Sequence, residues 1–530
     1  MKLALAQVST TVGDVQGNVD RLERAVARAA LLGAEVALLP ELALTGYPPR
    51  DLLLDPGLAR AAADGLARLA RAAHAVAPGL VVVAGAPVDG PPGPTGRRLR
   101  NAAVVLHGGR VLAWRAKALL PCDDVFLEPR WFTPGEAPAS PVTLPLRGGA
   151  RRVGLLVCED LWDEAYARAP ARELTAQGID ALLCLNASPY RRGVRGERLR
   201  LARRPGVPLG WVNAVGGEDE LVFDGASFAV DGRGRLLAAL PACEEAVAVV
   251  DLATPGRLTD DALVPADDDA ATREALVLGL ADFCRKNRLP RAVVGVSGGV
   301  DSALVLALAA DALGPDRVVG VHLPSRFTSQ RSTDDARALC AALGVRLEVV
   351  PLEPLHAAAE ALLQGCLPGG LGATGAENVQ ARARALVLMA FVNRLGGLLL
   401  NTSNKTELAL GYGTLYGDMA GGLAPIADLT KLDVWRLAAA DARVPRSIVE
   451  RTPTAELAPG QVDPFDYPRV APRVEALVLG DDQGAAPDLA ERVARAEFKR
   501  RQAPPGLKVS ARAFGPGRLV PVTWRRWPEA

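Results

Sequence analysis

Ala292-Val293-Val294-Gly295-Val296-Ser297-Gly298-Gly299-Val300-Asp301-Ser302 decides the fold of the second half of this chain. The apolar run Ala292–Val296 reads as a strand, the glycines as a turn, and Ala303 to Leu313 as a helix. Glycines let a backbone turn its N–H groups inward, and a helix N-terminus adds partial positive charge. Gly295, Val296, Ser297, Gly298, Gly299, Val300, Asp301 and Ser302 therefore form a candidate phosphate cradle. No Lys follows the glycines, so this is not the GxxxxGK[ST] loop, and the GxGxxG pattern of redox dinucleotide sites is absent here. The surrounding sequence repeats the alternation. Helical spacing covers Thr272–Lys286, Ala336–Leu343 and Ala381–Leu395, and strand-like runs cover Val318–His322, Arg346–Val350 and Leu398–Thr402. This predicts an α/β doubly wound parallel sheet with the cradle at the carboxyl end of a strand. Beyond about Thr452 the chain reads as Pro-rich and irregular.

The first half also alternates. Leu3–Val8, Val36–Leu39, Leu80–Gly85, Ala102–Leu106, Val153–Val157, Ala181–Leu185 and Ala246–Asp251 read as strands, and Val19–Leu32 as a helix. That is a second layered α/β domain. The pattern lapses at Thr254–Ala271, where Pro and Asp gather. The expected division is a domain over 1–254, a linker over 255–271, and a domain over 272–530. A chain of 530 residues, 49% of them hydrophobic, is too long for one core. A net charge of +1 gives no global bias toward nucleic acid or an anionic membrane. No apolar run is long enough to span a bilayer, and the N-terminus does not read as a signal peptide. Seven cysteines without CxxC pairs fit a reducing cytoplasm.

Three residues of the first half carry candidate chemistry. Glu41 closes the run Val36-Ala37-Leu38-Leu39-Pro40-Glu41, Lys117 ends Trp114-Arg115-Ala116-Lys117, and Cys158 closes Val153-Gly154-Leu155-Leu156-Val157-Cys158. A thiolate attacks, a carboxylate can take the thiol proton, and an ammonium can stabilise an oxyanion. Singly, each residue also fits a structural role: a Cys packs in a core, a Glu caps a helix, a Lys is solvated. Cys184 reads as buried and inert. Four histidines in the whole chain mean that a nucleophile here can need another base.

Glu41 to Asp51, Cys158-Glu159-Asp160-Leu161-Trp162 and Asn186-Ala187-Ser188-Pro189-Tyr190 resemble the carbon–nitrogen hydrolase, or nitrilase, superfamily. More closely they look like the glutaminase half of the glutamine-dependent NAD+ synthetases. The resemblance implies an α-β-β-α sandwich in which Glu41 is general base, Lys117 supports the oxyanion and Cys158 forms a glutamyl thioester. It places Ser188 on the substrate glutamine. Two positions depart from the pattern at the glutamine site. Asp123 stands where the family has Tyr, and Val194 where it has Lys. Asp123 pairing with the glutamine ammonium and a plain structural substitution are both open readings.

In the second half, Ser297–Ser302 resembles the SGGxDS loop of the ATP pyrophosphatases, in an adenine nucleotide α-hydrolase-like fold. Asn401-Thr402-Ser403-Asn404-Lys405-Thr406-Glu407 and Gly411-Tyr412-Gly413-Thr414-Leu415-Tyr416-Gly417-Asp418-Met419-Ala420-Gly421-Gly422 extend the likeness to the NAD+ synthetases. Tyr416–Gly422 itself reads as a flexible loop. By resemblance, Ser297 and Ser302 meet phosphate, Thr402 and Lys431 bind ATP, and Asp301 and Glu407 lie near Mg2+. Asn378, Arg382, Glu407, Asp418 and Lys499 lie near deamido-NAD+. Asn378 and Arg382 are four apart, on one helical face. The implied activity is ATP-dependent amidation of deamido-NAD+ with ammonia from glutamine, with ATP as co-substrate, in a cytoplasmic homo-oligomer. Three other readings stay open: another ATP-pyrophosphatase amidotransferase, a glutaminase half kept only as a scaffold, and an amidase whose second half senses nucleotides.

Overall fold

The computed structural model describes residues 1–480 and 487–523 and divides into two compact units, Met1–Asp268 and Asp269–Ala530. In the first, two six-stranded sheets lie face to face. One runs Ala246–Asp251, Lys2–Gln7, Val36–Leu38, Val81–Asp89, Leu99–His107, Arg110–Ala116. The other runs Leu236–Ala239, Phe228–Val230, Leu209–Asn213, Ala181–Asn186, Arg151–Val157, Val142–Leu144. Strand periodicity of two explains the layers. Leu3 and Leu5 enter the core between the sheets with Val153, Leu155 and Leu183. Ala4 and Ala6 face outward, under the helices Val15–Leu31 and Pro56–Val76. The second sheet's outer face, with Cys184, Trp211 and Phe228, packs under Pro170–Thr175 and Val194–Arg203. The result is an α-β-β-α sandwich. Helix Val15–Leu31 buries Val15, Val19, Leu22 and Val26 on one stripe, and the Asp14 carboxylate accepts from Gly17 N at its start.

Parallel strands Lys2–Gln7, Val36–Leu38 and Val81–Asp89 aim their carboxyl ends the same way, as do Arg151–Val157, Ala181–Asn186 and Leu209–Asn213. Glu41 and Cys158 follow the ends of two of these strands. Strand Arg110–Ala116 escapes sequence reading because it is an edge strand with no fully buried face. Within 255–271, residues 256–264 lie against the first unit: Gly256 N donates to Asp231 (2.9 Å), Arg257 N donates to Leu236 O (3.0 Å), and Leu263 joins the outer core.

The second unit holds a four-stranded parallel sheet in the order Arg346–Val349, Val318–His322, Ala292–Gly295, Leu398–Leu400. The chain winds outward from Ala292–Gly295 in one direction, then returns to place Leu398–Leu400 on the other side. The switch point therefore lies between these two strands, where open α/β sheets bind ligands. Several elements differ from the sequence reading. The helix expected from Thr272 starts at Asp268, and the one expected from Ala381 starts at Gly372, so Glu377 and Asn378 sit inside it. Gly372 and Gly375 have low helix propensity and hide the start. The chain beyond Thr452 is irregular over 453–466 and 501–523 but not throughout: it forms the helices Tyr467–Leu479, Pro487–Arg495 and Glu497–Arg500. Tyr416–Gly422 is not loose either, because Asn401 Nδ2 donates to Asp418 O (2.8 Å) and Ala420 O (3.1 Å). No described helix is long and apolar enough to cross a membrane.

Candidate functional sites

In the first unit the structure brings Glu41, Lys117 and Cys158 together in the interior. Lys117 Nζ donates to Glu41 Oε1 (2.8 Å) and to Glu128 Oε1 (2.7 Å), with all three side chains buried. Asn101 Nδ2 donates to Glu41 Oε1 at 2.7 Å, and Ala187 N donates to Glu41 Oε2 at 3.0 Å. The Tyr47 hydroxyl donates to Glu128 at 2.9 Å. Burial opposes the Lys117 ammonium, but the Glu128 and Glu41 carboxylates together hold its pKa well above the usual value. Burial pushes the Cys158 thiol up, with the Glu41 charge adding and Lys117 opposing. The resting thiol is therefore protonated, with a carboxylate beside it to take the proton.

Glu128, Asn101 and Tyr47 went unrecognised in the sequence. Asn101 and Glu128 are distant in sequence from Glu41, whereas Tyr47 lies within the Glu41–Asp51 stretch; the fold collects all three around Lys117. The turn carrying Glu41 is sterically tight. A Cβ on Gly85 would stand 2.3 Å from Leu42 N and 2.4 Å from Pro40 O, both backbone atoms. Gly85→Ala should shift Glu41 and cut glutamine-driven turnover by roughly 10²-fold, the scale of a 1 Å misplacement. Steady-state kinetics read this, and a turnover within three-fold of the parent would contradict it.

The residues expected at the glutamine site differ in burial and partners. Ser188 is buried, and its Oγ accepts from Arg198 Nε (3.2 Å) while its carbonyl accepts from Arg198 Nη2 (2.7 Å). Asp224, fully buried, anchors Arg198 and Arg195 at 2.7 Å each. Val194 is buried at the first turn of its helix and offers no polar group. Asp123 is exposed, and its charge acts on Glu159 and Tyr166. Burial pushes the Glu159 carboxyl up to about 7, Lys117 and the Tyr166 hydroxyl opposing and Asp123 adding. Between the ordinary value of 4.5 and about 7, the folded chain holds a proton that the unfolded chain has lost. Stability contributed here falls as pH rises through that window. Glu159→Gln should match the parent in thermal unfolding at pH 4 and exceed it at pH 8. An equal Tm at both pH values would refute the assignment.

In the second unit a cavity opens at the switch point. Gly295, Val296, Ser297, Gly299, Val300, Asp301, Thr402 and Lys431 line it, together with Glu407 and Asp418. Gly298 and Ser302 stand behind the wall. Gly298, at φ 81°, lies so close to Ser332 that a Cβ would be 2.5 Å from its carbonyl oxygen. Ser302 Oγ donates to Gly299 O (3.0 Å) and lies 3.1 Å from Ser297 Oγ, bracing the loop from within. Lys431 Nζ bridges Asp301 Oδ2 (2.5 Å) and Glu407 Oε1 (3.1 Å). Burial pushes Glu407 up to about 7, Lys431 opposing. Burial also raises the Asp418 carboxyl, while Thr414 N donates to it at 2.6 Å.

Asn378, Arg382 and Lys499 do not line this cavity. Asn378 Oδ1 accepts from Thr414 Oγ1 (2.7 Å), and Arg382 is exposed and donates to Leu415 O (3.1 Å). Lys499 Nζ donates to Gly411 O (2.9 Å) and Gly413 O (2.8 Å). The arginines on the cavity wall are Arg451 and, from the helix of Arg382, Arg384, two residues on and so on another helical face. Burial lowers the Arg384 pKa, with Glu456 and Asp418 opposing. Asp463 also lines the wall and accepts from the hydroxyls of Tyr412 (3.1 Å) and Tyr467 (2.8 Å). Its segment reads in sequence only as Pro-rich and irregular, so nothing there marks Asp463.

Fold and sites together define a class: an amide-cleaving carbon–nitrogen hydrolase joined to a nucleotide-using synthase. A carbon–nitrogen hydrolase family model matches residues 2–256, and an NAD synthase model matches residues 272–469. Over its full length the chain is 38% identical to the glutamine-dependent NAD(+) synthetase of Synechocystis sp., covering 99% of both chains. It is 40% identical to that of Rhodobacter capsulatus, covering 100% of this chain and 99% of the relative. The solved glutamine-dependent NAD+ synthetase of Acinetobacter baumannii, in complex with ADP, matches with TM-score 0.76 and 30% identity over 98% of each chain. The chain belongs to the glutamine-dependent NAD+ synthetase family. It is a glutamine-hydrolysing NAD synthase, an enzyme of NAD biosynthesis with glutamine as amide donor.

Proposed function

We propose that Glu41, Lys117 and Cys158 release ammonia from glutamine. Glu41 takes the thiol proton as Cys158 Sγ attacks the side-chain amide carbon. The tetrahedral oxyanion forms beside the Lys117 ammonium. Two of the three Lys117 donors are spent on Glu41 and Glu128, which leaves one for the oxyanion. Glu41 returns its proton to the departing nitrogen, ammonia leaves, and a γ-glutamyl thioester remains. Glu41 then deprotonates water, which splits the thioester to glutamate and thiol. Lys117, held charged by two carboxylates, is the observation that carries this reading.

At the second site the carboxylate of deamido-NAD+ attacks the α-phosphorus of ATP and pyrophosphate departs. Ammonia then adds to the acyl carbon of the adenylate and AMP leaves, giving NAD+. The sum is deamido-NAD+, ATP, glutamine and water to NAD+, AMP, pyrophosphate and glutamate. Adenylation is required because a free carboxylate is a poor acyl donor. The wall residues from Gly295 to Asp301, backed by Gly298 and Ser302, and with Thr402 and Lys431, are assigned to ATP; the ADP of the Acinetobacter baumannii relative supports nucleotide use. Glu407 and Asp418, and from outside the cavity Asn378, Arg382 and Lys499, are assigned to deamido-NAD+. Mg2+ commonly takes one or two carboxylates and completes its shell with phosphate oxygens and water. Asp301 and Glu407, both within reach of Lys431 on one wall, fit that donor set. When bound, the ion would neutralise phosphate charge. Ser188, Asp123 and Val194 are assigned to the glutamine pocket.

The activities divide within 255–271, and the chain is assigned to the cytoplasm as a homo-oligomer. All seven cysteines are free, and helix Gly372–Leu395 exposes Leu386 and Met389. Light scattering reads the assembly, and a monomer would end that assignment. The chemistry is tested by NAD+ formation from deamido-NAD+ and Mg-ATP with glutamine or with ammonium chloride. Turnover with both is expected. Ammonium alone would make the first unit a scaffold, and no turnover would overturn the substrate assignment.

A further inference from the structure

Asp160 touches no reacting group, yet it binds both chain segments that carry the nucleophile and its cation. Its Oδ1 accepts from Ala118 N (2.8 Å) and Leu119 N (2.9 Å), the two amides directly after Lys117. Its Oδ2 accepts from Val157 N (2.9 Å), the amide directly before Cys158. The side chain is buried, and no cation pairs with it directly among the described residues. Burial pushes the carboxyl up to about 6, against the pull of the Val157, Leu119 and Ala118 amides and of Lys117. A carboxylate in such a place is expensive, and the N–H donors offset only part of that cost.

Cys158 shows what the carboxylate holds. The residue sits at φ 43°, in the left-handed region that a side chain ordinarily avoids. A residue persists there only when its surroundings over-determine it. The strand Arg151–Val157 fixes the chain before Cys158, and the Val157 bond to Asp160 closes the turn after it. Lys117 lies just past the end of strand Arg110–Ala116, where Lys117 N donates to Asn101 O (2.7 Å) and Gly135 N donates to Lys117 O (2.8 Å). Packing between the two sheets brings the strand ends near one another, with Ala113 against the core that holds Val153, Leu155 and Val157. Beyond the strands, Asp160 ties the two ends together with one side chain.

We infer that Asp160 is the positioning residue that sets Cys158 against Lys117 by clamping Val157, Ala118 and Leu119 to one carboxylate. This rests on the assignment of Cys158 and Lys117 to glutamine cleavage. An amide at this position has only one oxygen, and its NH2 group would meet a backbone N–H. In the full chain, Asp160→Asn should lower kcat for glutamine-driven NAD+ formation about 10²-fold. The KM for glutamine should stay within about three-fold, because Ser188 is held separately by Arg198. Ammonium-driven turnover should be unchanged, and amide hydrogen exchange should quicken at Val157, Ala118 and Leu119.

Cys158→Ala is measured beside it. If that variant keeps glutamine use, the assignment of the site has failed. If it loses glutamine use while Asp160→Asn keeps kcat within three-fold, the inference about Asp160 alone has failed. Should the Asn variant not fold, Asp160→Ser, a smaller group that admits water, carries the same measurements. Equal loss of glutamine-driven and ammonium-driven turnover in both variants would make Asp160 a general determinant of folding and overturn the positioning role.

Discussion

Replacing Cys158 with Ala is expected to cut glutamine-driven NAD+ formation by at least about 10³-fold and to leave ammonium-driven formation intact. The thiol is the one nucleophile beside Glu41 and Lys117, and the mutation removes a single buried atom from a strand end. Glu41 and Lys117 keep each other's charge compensated through their 2.8 Å bond, so the interior is not left with an unpaired ion. The experiment compares initial rates with the two nitrogen donors at saturating deamido-NAD+ and Mg-ATP. Retained glutamine use would remove Cys158 from the chemistry. Loss of both donors would mean that the variant perturbs more than the site.

Lys431→Met is expected to have the complementary signature, a fall of roughly 10² to 10³-fold with either donor while glutamate release from glutamine continues. The ammonium lies 2.5 Å from Asp301 and 3.1 Å from Glu407, and without it two carboxylates face each other in a recessed wall. Glu407, pushed by burial up to about 7, then rises further for want of its counter-charge. On the proposed assignments, a neutral Glu407 would be a poorer ligand for a hard cation, and the nucleotide phosphate would lose a cationic contact. The same change should lower the thermal stability of the chain, because breaking an ion pair costs more when the remaining charges are recessed. Normal NAD+ formation from ammonium in this variant would exclude Lys431 from the nucleotide site.

The reading of this chain depended on what kind of information each residue carries. Ser297–Ser302, Glu41 and Cys158 were legible because they sit where a strand ends, and strand, turn and helix are written in local spacing. The α-β-β-α sandwich and the parallel sheet follow from the same alternation, aided by motifs long enough to identify the family. Asn101 and Glu128 were silent, since nothing near them in sequence announces that they converge on Glu41 and Lys117, and Tyr47, although inside the Glu41–Asp51 stretch, gives no sign there of its bond to Glu128. Arg382 and Arg384 show the limit on a single helix. Both are plausible cations, and only packing decides that Arg384 faces the cavity while Arg382 faces out.

Asp463 makes the point from the other side. It lies in a segment that reads only as Pro-rich and irregular, and it nonetheless anchors two tyrosine hydroxyls in the cavity wall. Sequence alone determined the two domains' fold class and the family, and it supplied the candidate nucleophile, base and phosphate loop. Those are consequences of backbone geometry and residue type, which act over a few neighbouring positions. Tertiary structure alone decided which charges compensate Lys117 and Lys431, which carboxyls are raised, and which arginine of the helix Gly372–Leu395 lines the cavity. Those depend on burial and on distances of a few ångströms between residues tens to hundreds of positions apart, and such distances exist only once the chain has packed.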